Sequence, residues 1–466
     1  MQAIEIEKIC RTKVRKNILI KGLSYDSRKV KENYIFFAIK GHKTDGNIFA
    51  EELLQEFDNI IVVTEKDFED IRCIKVNDVR DCMGKIASEF YNRPTDRLNV
   101  AGITGTNGKT TTTYLLHSIF NKSDIIGTTG YTIGGLKHKL ENTTPESTDL
   151  HKIFDLMVKN NDEYCFMEAS SHAITLKRTS GIKFKVKVFT NISQDHLDYY
   201  KTMENYAQAK LSFFNKEDKK VVNADDNYAR EIIDKNAITY GFNEQADIYP
   251  LDYSFDIDGI RLKLNVFSKS VDIESSLIGR YNIYNIMCAV GVSVFFEKDL
   301  NDVAEGIKNC TNVPGRLEFF KKNSIYAVVD YAHTDDAMSN VLSTLKEINK
   351  GRLIVVFGAG GDRDKTKRPK MGRVAETLAD IAIVTSDNPR SENPNNIIED
   401  IIEGIEDKSR IIIEADRQKA IEQALDMAKK DDIVAVVGKG HEDYQILKDR
   451  TIHFDDREVI KKHWQI

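Results

Sequence analysis

Apolar residues along this chain gather in short runs that stop abruptly at polar or glycine-rich strings. Near the N-terminus, Tyr34-Ile-Phe-Phe-Ala-Ile39, Ile60-Ile-Val-Val63 and Ile71-Arg-Cys-Ile-Lys-Val76 read as strands, with a helix-period Phe49-Ala-Glu-Glu-Leu-Leu-Gln among them. Leu98 and Val100 begin another strand. A loop holding Gly102, Gly105 and Gly108 follows, then a helix-period Tyr114-Leu-Leu-His-Ser-Ile-Phe. Tyr164-Cys-Phe-Met167 and Val186-Lys-Val-Phe-Thr190 are short strands ending in Glu168-Ala-Ser-Ser-His172 and Asn191-Ile-Ser-Gln-Asp-His196. In Glu204–Phe214, helical spacing puts Tyr206, Lys210 and Phe213/Phe214 on one face. Residues 220 to 280 alternate as strands, and Gly279-Arg-Tyr-Asn starts a long helix through Met287, Val290, Val294 and Phe295.

The last third has its own rhythm. Runs at 325–329, 353–357, 381–384 and 433–437 end in Asp-Tyr-Ala-His-Thr, Gly-Ala-Gly-Gly-Asp-Arg-Asp, Thr-Ser-Asp-Asn-Pro-Arg and Gly-Lys-Gly-His-Glu-Asp. Helical stretches follow the first three, and also follow Ile411-Ile-Ile413. Strands alternating with helices predict a mostly parallel, Rossmann-like sheet whose strand ends share one rim. Charges of both signs on that rim suit a zwitterionic, amino-acid-like ligand. Gly358-Ala-Gly-Gly361 does not complete G-x-G-x-x-G, which argues against a dehydrogenase.

Polar Tyr91-Asn-Arg-Pro-Thr-Asp-Arg97 and Asn312-Val-Pro-Gly-Arg316 punctuate the pattern as boundaries. The expected fold class is α/β in three domains: a small N-terminal α/β domain at 1–95, a central P-loop ATPase domain with a mostly parallel sheet at 96–314, and a C-terminal Rossmann-like domain at 315–466. At 466 residues the chain exceeds one ordinary core, which agrees. Charged residues at 30% and hydrophobic ones at 41% place it among soluble globular proteins. With no bilayer-length apolar run and no secretory h-region, a cytoplasmic protein is expected. The six cysteines form no C-x-x-C pair, which disfavours a metal cluster or disulfide framework. A net charge of −6 with no basic patch disfavours nucleic acid as a partner.

The chemistry starts at Gly105-Thr-Asn-Gly-Lys-Thr-Thr111, a short variant of the phosphate loop between strand and helix. Its glycines let successive N–H groups point inward at a polyphosphate, and the helix adds its positive dipole end. Lys109 would reach the outer phosphates and Thr110 would face Mg²⁺. Glu168 and His196, arriving at strand ends of the same domain, suit metal or acid–base work, since ligands collect at that edge of a doubly wound sheet. Asp26-Ser-Arg28 and the glycine-flanked string 41–46 read, on physics alone, as ordinary loops.

Taken together, Thr104-Gly-Thr-Asn-Gly-Lys-Thr-Thr, Glu168-Ala-Ser-Ser-His-Ala, Asp195-His-Leu-Asp198, Tyr206-x-x-Ala-Lys210, Asn282-x-Tyr-Asn285, Pro314-Gly-Arg-Leu-Glu318 and Asp330-Tyr-Ala-His333 resemble the Mur ligase family in order and spacing over nearly the whole chain. Asp387-Asn-Pro-Arg390 and Gly438-Lys-Gly-His-Glu442 look like the member that adds the third peptide residue of the peptidoglycan precursor. The resemblance implies an ATP-dependent amide ligase that adds meso-2,6-diaminopimelate to UDP-MurNAc-L-Ala-D-Glu through an acyl phosphate. It implies catalytic Lys109, Glu168, His196 and Lys210, and Mg²⁺ on Thr110, Glu168, His196 and a Lys210 carbamate formed from CO₂. ATP would meet Gly105, Thr106, Asn107, Gly108, Lys109, Thr110, Thr111, Asn285, Arg316, Asp330 and His333. Ser27, His42, Thr143, Thr144, Ser170 and Arg178 would line the UDP-sugar peptide. Arg363, Asp387, Asn388, Arg390, Gly438 and Glu442 would take the amino acid, with Arg390 clamping the distal carboxylate and Glu442 meeting the distal ammonium.

Three positions depart from the family pattern. Asp335 stands where proline is usual, Tyr200 where histidine is common, and Leu176 replaces a glutamine of some relatives. The implied partners are small molecules, with no nucleic acid, no membrane span and a monomeric state. Competing readings are a folylpolyglutamate synthetase-like ligase, which does not need Asp387-Asn-Pro-Arg390; a non-catalytic nucleotide-binding paralogue, which could lose Lys109, Glu168, His196 or Lys210; and a P-loop kinase, which would lack the Lys210 helix.

Overall fold

The computed structural model describes residues 1–41 and 44–466. The chain folds into two compact units. One comprises Met1–Thr104, Phe120–Lys187 and Ser212–Lys219; the other comprises Gly105–Ile119, Val188–Leu211 and Lys220–Ile466.

The first unit begins with a parallel sheet of β1 (Gly22–Ser24), β2 (Tyr34–Phe37), β3 (Ile61–Thr64) and β4 (Cys73–Lys75), in that order. The period-2 alternation of side chains sorts its two faces. Ile35, Phe37, Ile61, Val63 and Ile74 pack with Val79, Met83 and Ile86 of helix Val79–Phe90. Phe36, Val62 and Cys73 pack with Ala50 and Leu53 of helix Ala50–Glu56. The apolar runs foretell β2 to β4, whereas β1, whose one apolar side chain is Leu23, carries no such signal. Residues 91–97, read as a linker, include helix Pro94–Arg97 with Pro94 and Thr95 buried.

Further along the same unit lie β5 (Asn99–Thr104), β6 (Ser123–Gly127), β7 (Gly130–Ile133), β8 (Leu136–His138) and β9 (Tyr164–Glu168). Strand β9 pairs in parallel with both β5 and β6, and β6 to β8 form an antiparallel edge. Val100, Ile126, Cys165 and Met167 bury one face against Leu150, Ile153, Phe154 and Met157 of helix Ser147–Lys159. Within β10 (Phe184–Phe189) the chain passes from the first unit to the second.

In the second unit, β11 (Lys220–Asn223) and β12 (Ala237–Tyr240) pair in parallel, and β13 (Ile248–Asp256), β14 (Gly259–Val266) and β15 (Lys269–Ser275) continue antiparallel. Helix Arg280–Phe295, with an apolar stretch from Ile286 to Val292, is buried along most of its length. The C-terminal sheet contains β16 (Glu318–Lys322), β17 (Ile325–Asp330), β18 (Leu353–Phe357), β19 (Ile381–Val384), β20 (Ile411–Ile413) and β21 (Ile433–Val437). Its order is β16-β17-β21-β18-β19-β20, parallel except for β16.

Alternation again divides the faces. Val355 and Phe357 join Met338, Leu342 and Leu345 of helix Asp335–Ile348 and Met371 of helix Lys367–Leu378. Ile354 and Val356 join Ala420, Ile421 and Ala424 of helix Arg417–Met427 and Trp464 of helix Asp456–Trp464. That is a doubly wound sheet, as the sequence rhythm predicts, and it brings the carboxyl ends of its parallel strands to one edge. No helix among the described residues is long and apolar enough to cross a membrane.

Candidate functional site

Helix Lys109–Ile119 starts on the phosphate loop of the second unit. Gly105 has φ +150° and Gly108 φ +88°, conformations that L-residues rarely hold. The space is also taken: a Cβ on Gly105 would lie 1.8 Å from Thr190 Oγ1, and one on Gly108 2.3 Å from Asn285 Oδ1. The loop following β10 fixes the phosphate loop from beside it. Thr106 N–H donates to Asn191 O at 2.8 Å, Asn107 N–H to Asn191 Oδ1 at 2.9 Å, and Thr190 Oγ1 to Asn107 O at 2.6 Å. Asn107 Nδ2 reaches Ser193 Oγ (3.2 Å) and Asp336 Oδ2 (3.0 Å).

Lys109 Nζ donates to the carbonyls of Gly105 and Thr106, both at 2.8 Å. Lys210, from helix Met203–Leu211, donates to the same Gly105 carbonyl at 2.7 Å and lies 4.8 Å from the Tyr206 ring centroid. It is only 2% exposed. Burial, and then the neighbouring Lys109, drive its pKa well below the ordinary lysine range, which favours the neutral amine. The helix stops at Leu211, so Phe213 and Phe214, expected on the same helical face, are instead buried loop residues beyond its end.

His196 holds φ +56° at the start of helix Leu197–Tyr200, with Nε2 3.3 Å from Asp195 Oδ2. His333 Nε2 stands 3.9 Å from that oxygen. Burial raises the Asp195 carboxyl, but His196, His333 and Lys367 outweigh it and hold the group well below the usual carboxylate range. Burial and Lys367 push His333 below the ordinary imidazole value, against the opposing pull of Asp195.

Each expected nucleotide contact is held by a neighbouring group. Arg316 Nη2 donates to Thr110 Oγ1 at 3.4 Å, and the guanidinium lies 4.7 Å from the Tyr331 ring centroid. Asp330 accepts from the N–H groups of Leu317 and Ala332, both at 2.8 Å, and burial raises its pKa. His333 Nδ1 meets Tyr331 O at 2.9 Å. Asn285 is oriented by Asn282 Oδ1 at 2.8 Å.

At the rim of the C-terminal sheet, Asn388 Nδ2 donates to Glu442 Oε2 at 2.8 Å, while Asn388 Oδ1 accepts from Ile446 N–H at 2.9 Å. Arg390 Nη1 donates to the carbonyls of Gly361 (2.8 Å) and Asn388 (3.5 Å). Gly438 (φ +117°) leaves room for Asp387, whose Oδ2 would lie 2.6 Å from a Cβ there. Arg363 is exposed and its guanidinium turns to Asp362 O at 3.5 Å, outside this network.

In the first unit, Glu168 ends β9 and is 1% exposed. Thr128 donates its N–H to Oε1 at 2.9 Å and its hydroxyl to Oε2 at 3.0 Å. Thr143 Oγ1 lies 3.2 Å from Thr128 Oγ1, Thr144 Oγ1 donates to Glu168 O at 2.8 Å, and Ser170 N–H donates to Thr144 Oγ1 at 3.1 Å. Arg178 joins Glu146 at 3.0 Å and Thr144 O at 3.0 Å. Thr143, Thr144, Glu168, Ser170 and Arg178 therefore share one cluster. Ser27 lies on the single turn Ser27–Lys29, capped by Asp26. His42 lies outside the described residues.

Among the described residues no three of His, Cys, Asp and Glu gather as a ready metal site. Mg²⁺ commonly takes one or two carboxylates and completes its shell with water and substrate phosphate, so it does not need such a cluster.

Three family models match in chain order: "Mur ligase family, catalytic domain" over residues 19–91, "Mur ligase middle domain" over 103–293 and "Mur ligase, glutamate ligase domain" over 315–440. The UDP-N-acetylmuramoyl-L-alanyl-D-glutamate–2,6-diaminopimelate ligase of Clostridium botulinum is 43% identical over 461 residues, covering 95% of each chain. The chain belongs to the Mur ligase family. The same-named protein of Caldanaerobacter subterraneus is 44% identical over 96% of this Mur ligase and 95% of its own length. A solved structure of a ligase of that name aligns at TM-score 0.70 with 33% identity, covering 96% of this chain and 95% of the other. Thermotoga maritima MurF in complex with ADP shares the fold at TM-score 0.64 and 20% identity, over 91% and 95%.

The departures from the family pattern have local roles in this Mur ligase. Asp335 begins the helix that Thr334 caps, where a carboxylate suits the dipole. Tyr200 is buried against Tyr199 and Tyr206, and Leu176 offers its carbonyl to Arg80 at 3.5 Å. Thr128, Glu146 and Asn191 were not singled out by sequence, because each acts on a residue distant in the chain. Asp195 and Lys439 sat inside quoted motifs, and their charge was the available signal.

Proposed function

We propose that this protein is an ATP-dependent ligase joining meso-2,6-diaminopimelate to the D-glutamate of UDP-N-acetylmuramoyl-L-alanyl-D-glutamate. The observation that carries the reading is the network at the C-terminal rim, where Asn388 touches both Arg390 and the carboxylate of Glu442. A guanidinium and a carboxylate held on one residue, Arg390 by the Asn388 backbone carbonyl and Glu442 by its side-chain amide, match the second carboxylate and second ammonium that distinguish diaminopimelate from ordinary amino acids. Lysine has no distal carboxylate and would leave Arg390 without its ligand partner.

The loop N–H groups and Lys109 would cradle the ATP phosphates, and Asn285, Arg316, Asp330 and His333 would make further contacts with the nucleotide. The D-glutamate side-chain carboxylate attacks the γ-phosphorus, the bond to the β-phosphate oxygen breaks, and ADP leaves an acyl phosphate. The diaminopimelate amine then attacks the acyl carbon, phosphate departs, and the nitrogen loses a proton to give the amide. The first step brings anions together and the second builds an oxyanion at the acyl carbon, so fixed positive charge in a site of low dielectric lowers the barrier.

Thr110, Glu168, His196 and Lys210 would hold Mg²⁺, which supplies further charge neutralisation at the phosphates. The donor set fits in one respect that the chain itself provides: Lys210 is buried and biased to the neutral amine. Such an amine can attack CO₂ and release a proton, so that a carbamate replaces a cation. Thr143, Thr144, Ser170 and Arg178, clustered near Glu168, would receive the peptide, with Ser27 and His42 toward the nucleotide sugar. The expected location is the cytoplasm.

The deciding experiment is a panel of amino acids supplied with UDP-sugar dipeptide and MgATP. ADP and phosphate should appear with meso-diaminopimelate and hardly at all with L-lysine. Equal turnover with L-lysine overturns the reading.

A further inference from the structure

The loop between β21 and strand Tyr444–Ile446 contains a lysine that is wholly buried. Lys439 Nζ lies 3.2 Å from Glu442 Oε2 and 3.4 Å from Asn388 Oδ1, and 5.5 Å from the centroid of the Tyr444 ring. Long aliphatic cations ordinarily reach for water, and burying an ammonium is costly without a partner anion. Here the partner is the carboxylate assigned above to the incoming amino acid.

We propose that Lys439 is a positioning residue of the amino-acid site, whose ammonium keeps Glu442 ionised and in one orientation to receive the second ammonium of the diamino acid. The proposal rests on the reading of that rim as the diaminopimelate site. Asn388 makes the arrangement rigid: Nδ2 donates to Glu442 while Oδ1 accepts from Lys439 and from Ile446 N–H, so amide, amine and carboxylate form a closed triangle. A lysine contributes a charge here without itself needing to meet the ligand.

The other groups around Glu442 make such a counter-charge necessary. Burial raises its pKa and Asp387 adds repulsion, while Lys439 pulls the other way. Tyr331 from the loop after β17 and Tyr444 are neutral phenols, both pushed upward with Glu442 among the causes. Arg417, from its helix, is committed to Asp456 at 2.7 Å in a pair with no exposure on either side. Among the described residues, Lys439 is the cation within hydrogen-bonding distance of Glu442.

The test is the pH dependence of diaminopimelate use by the full chain. In Lys439→Met, KM for diaminopimelate should rise about tenfold near neutral pH, while KM for ATP stays near wild type. The acid limb, where protonation of Glu442 raises KM, should move up by about 1 to 3 pH units, the usual effect of removing a close opposite charge. Should that variant fail to fold, Lys439→Met/Glu442→Gln removes both charges together. It should show a high KM with no acid limb. A wild-type acid limb in either variant, or an equal loss for ATP and diaminopimelate, overturns the proposal. A wild-type enzyme that ignores diaminopimelate overturns instead the reading on which it rests.

Discussion

Lys210 illustrates how a single side chain combines sequence and structural information. Spacing alone put it on the apolar side of a helix, where most lysines extend to water. The fold instead closes over it, leaving Nζ on the Gly105 carbonyl at 2.7 Å beside Lys109. A buried amine biased toward its neutral form serves little purpose as a cation. As a carbamate it becomes an anion that a metal can use. Lys210→Ala should therefore lower turnover by about 10²-fold or more, in the range seen when one electrostatic group of an active site is lost. Formate or acetate added at millimolar concentration should restore part of it, because a free carboxylate can occupy the vacated space. ATP affinity measured by calorimetry should change little. Failure of short carboxylates to restore any activity, with the variant still folded, would count against the carbamate. The motif made Lys210 legible. Its burial and the direction of its pKa were not, because they come from Gly105 and Lys109, about a hundred residues away in sequence.

Between elements, legibility follows how local the cause is. The C-terminal strands were readable because β-branched runs bounded by glycine and acid leave few other conformations, and their alternation gives both faces of the sheet. Strand β1 was not, since Gly22 and Ser24 carry no apolar signal and the strand exists through its pairing with β2. The phosphate loop lies between these cases: its glycines were evident, but the neighbours that require them were not. Gly108→Ala combines a left-handed φ with a methyl 2.3 Å from Asn285 Oδ1, so Asn285 must move. Gly135→Ala at the β7–β8 turn has φ +81° and nothing within 4 Å, so it carries only the backbone penalty, roughly 1–2 kcal/mol. In denaturant titrations Gly108→Ala should lose more stability than Gly135→Ala, because the clash adds to a similar backbone penalty. Only Gly108→Ala should lose nucleotide affinity, by at least about tenfold, in equilibrium binding of a non-hydrolysable ATP analogue. Equal affinity in both would mean that Asn285 and the loop are not coupled.

Across the whole molecule, the candidate nucleotide residues and the candidate UDP-sugar peptide residues fall in different units. Gly105 to Thr111, Asn285, Arg316, Asp330 and His333 all fall in the second unit, whereas Ser27, Thr143, Thr144, Ser170 and Arg178 fall in the first. A ligand that binds only the native state stabilises what it binds by RT ln(1 + [L]/Kd), which is about 2.7 kcal/mol at a hundred times Kd. For units of a few hundred residues, each kcal/mol moves a melting transition by roughly 2–4 °C. Scanning calorimetry of the intact chain should then resolve two transitions. A non-hydrolysable ATP analogue with Mg²⁺ should raise mainly the one belonging to the second unit, by about 5–10 °C. The UDP-sugar dipeptide alone should raise mainly the other. Hydrogen exchange would assign them, with slowed amides at Gly105–Thr111 in the first case and around Thr143–Arg178 in the second. If both ligands protected the same amides and shifted one common transition equally, the division of labour inferred from the residues would be wrong, even if the ligase activity itself were confirmed.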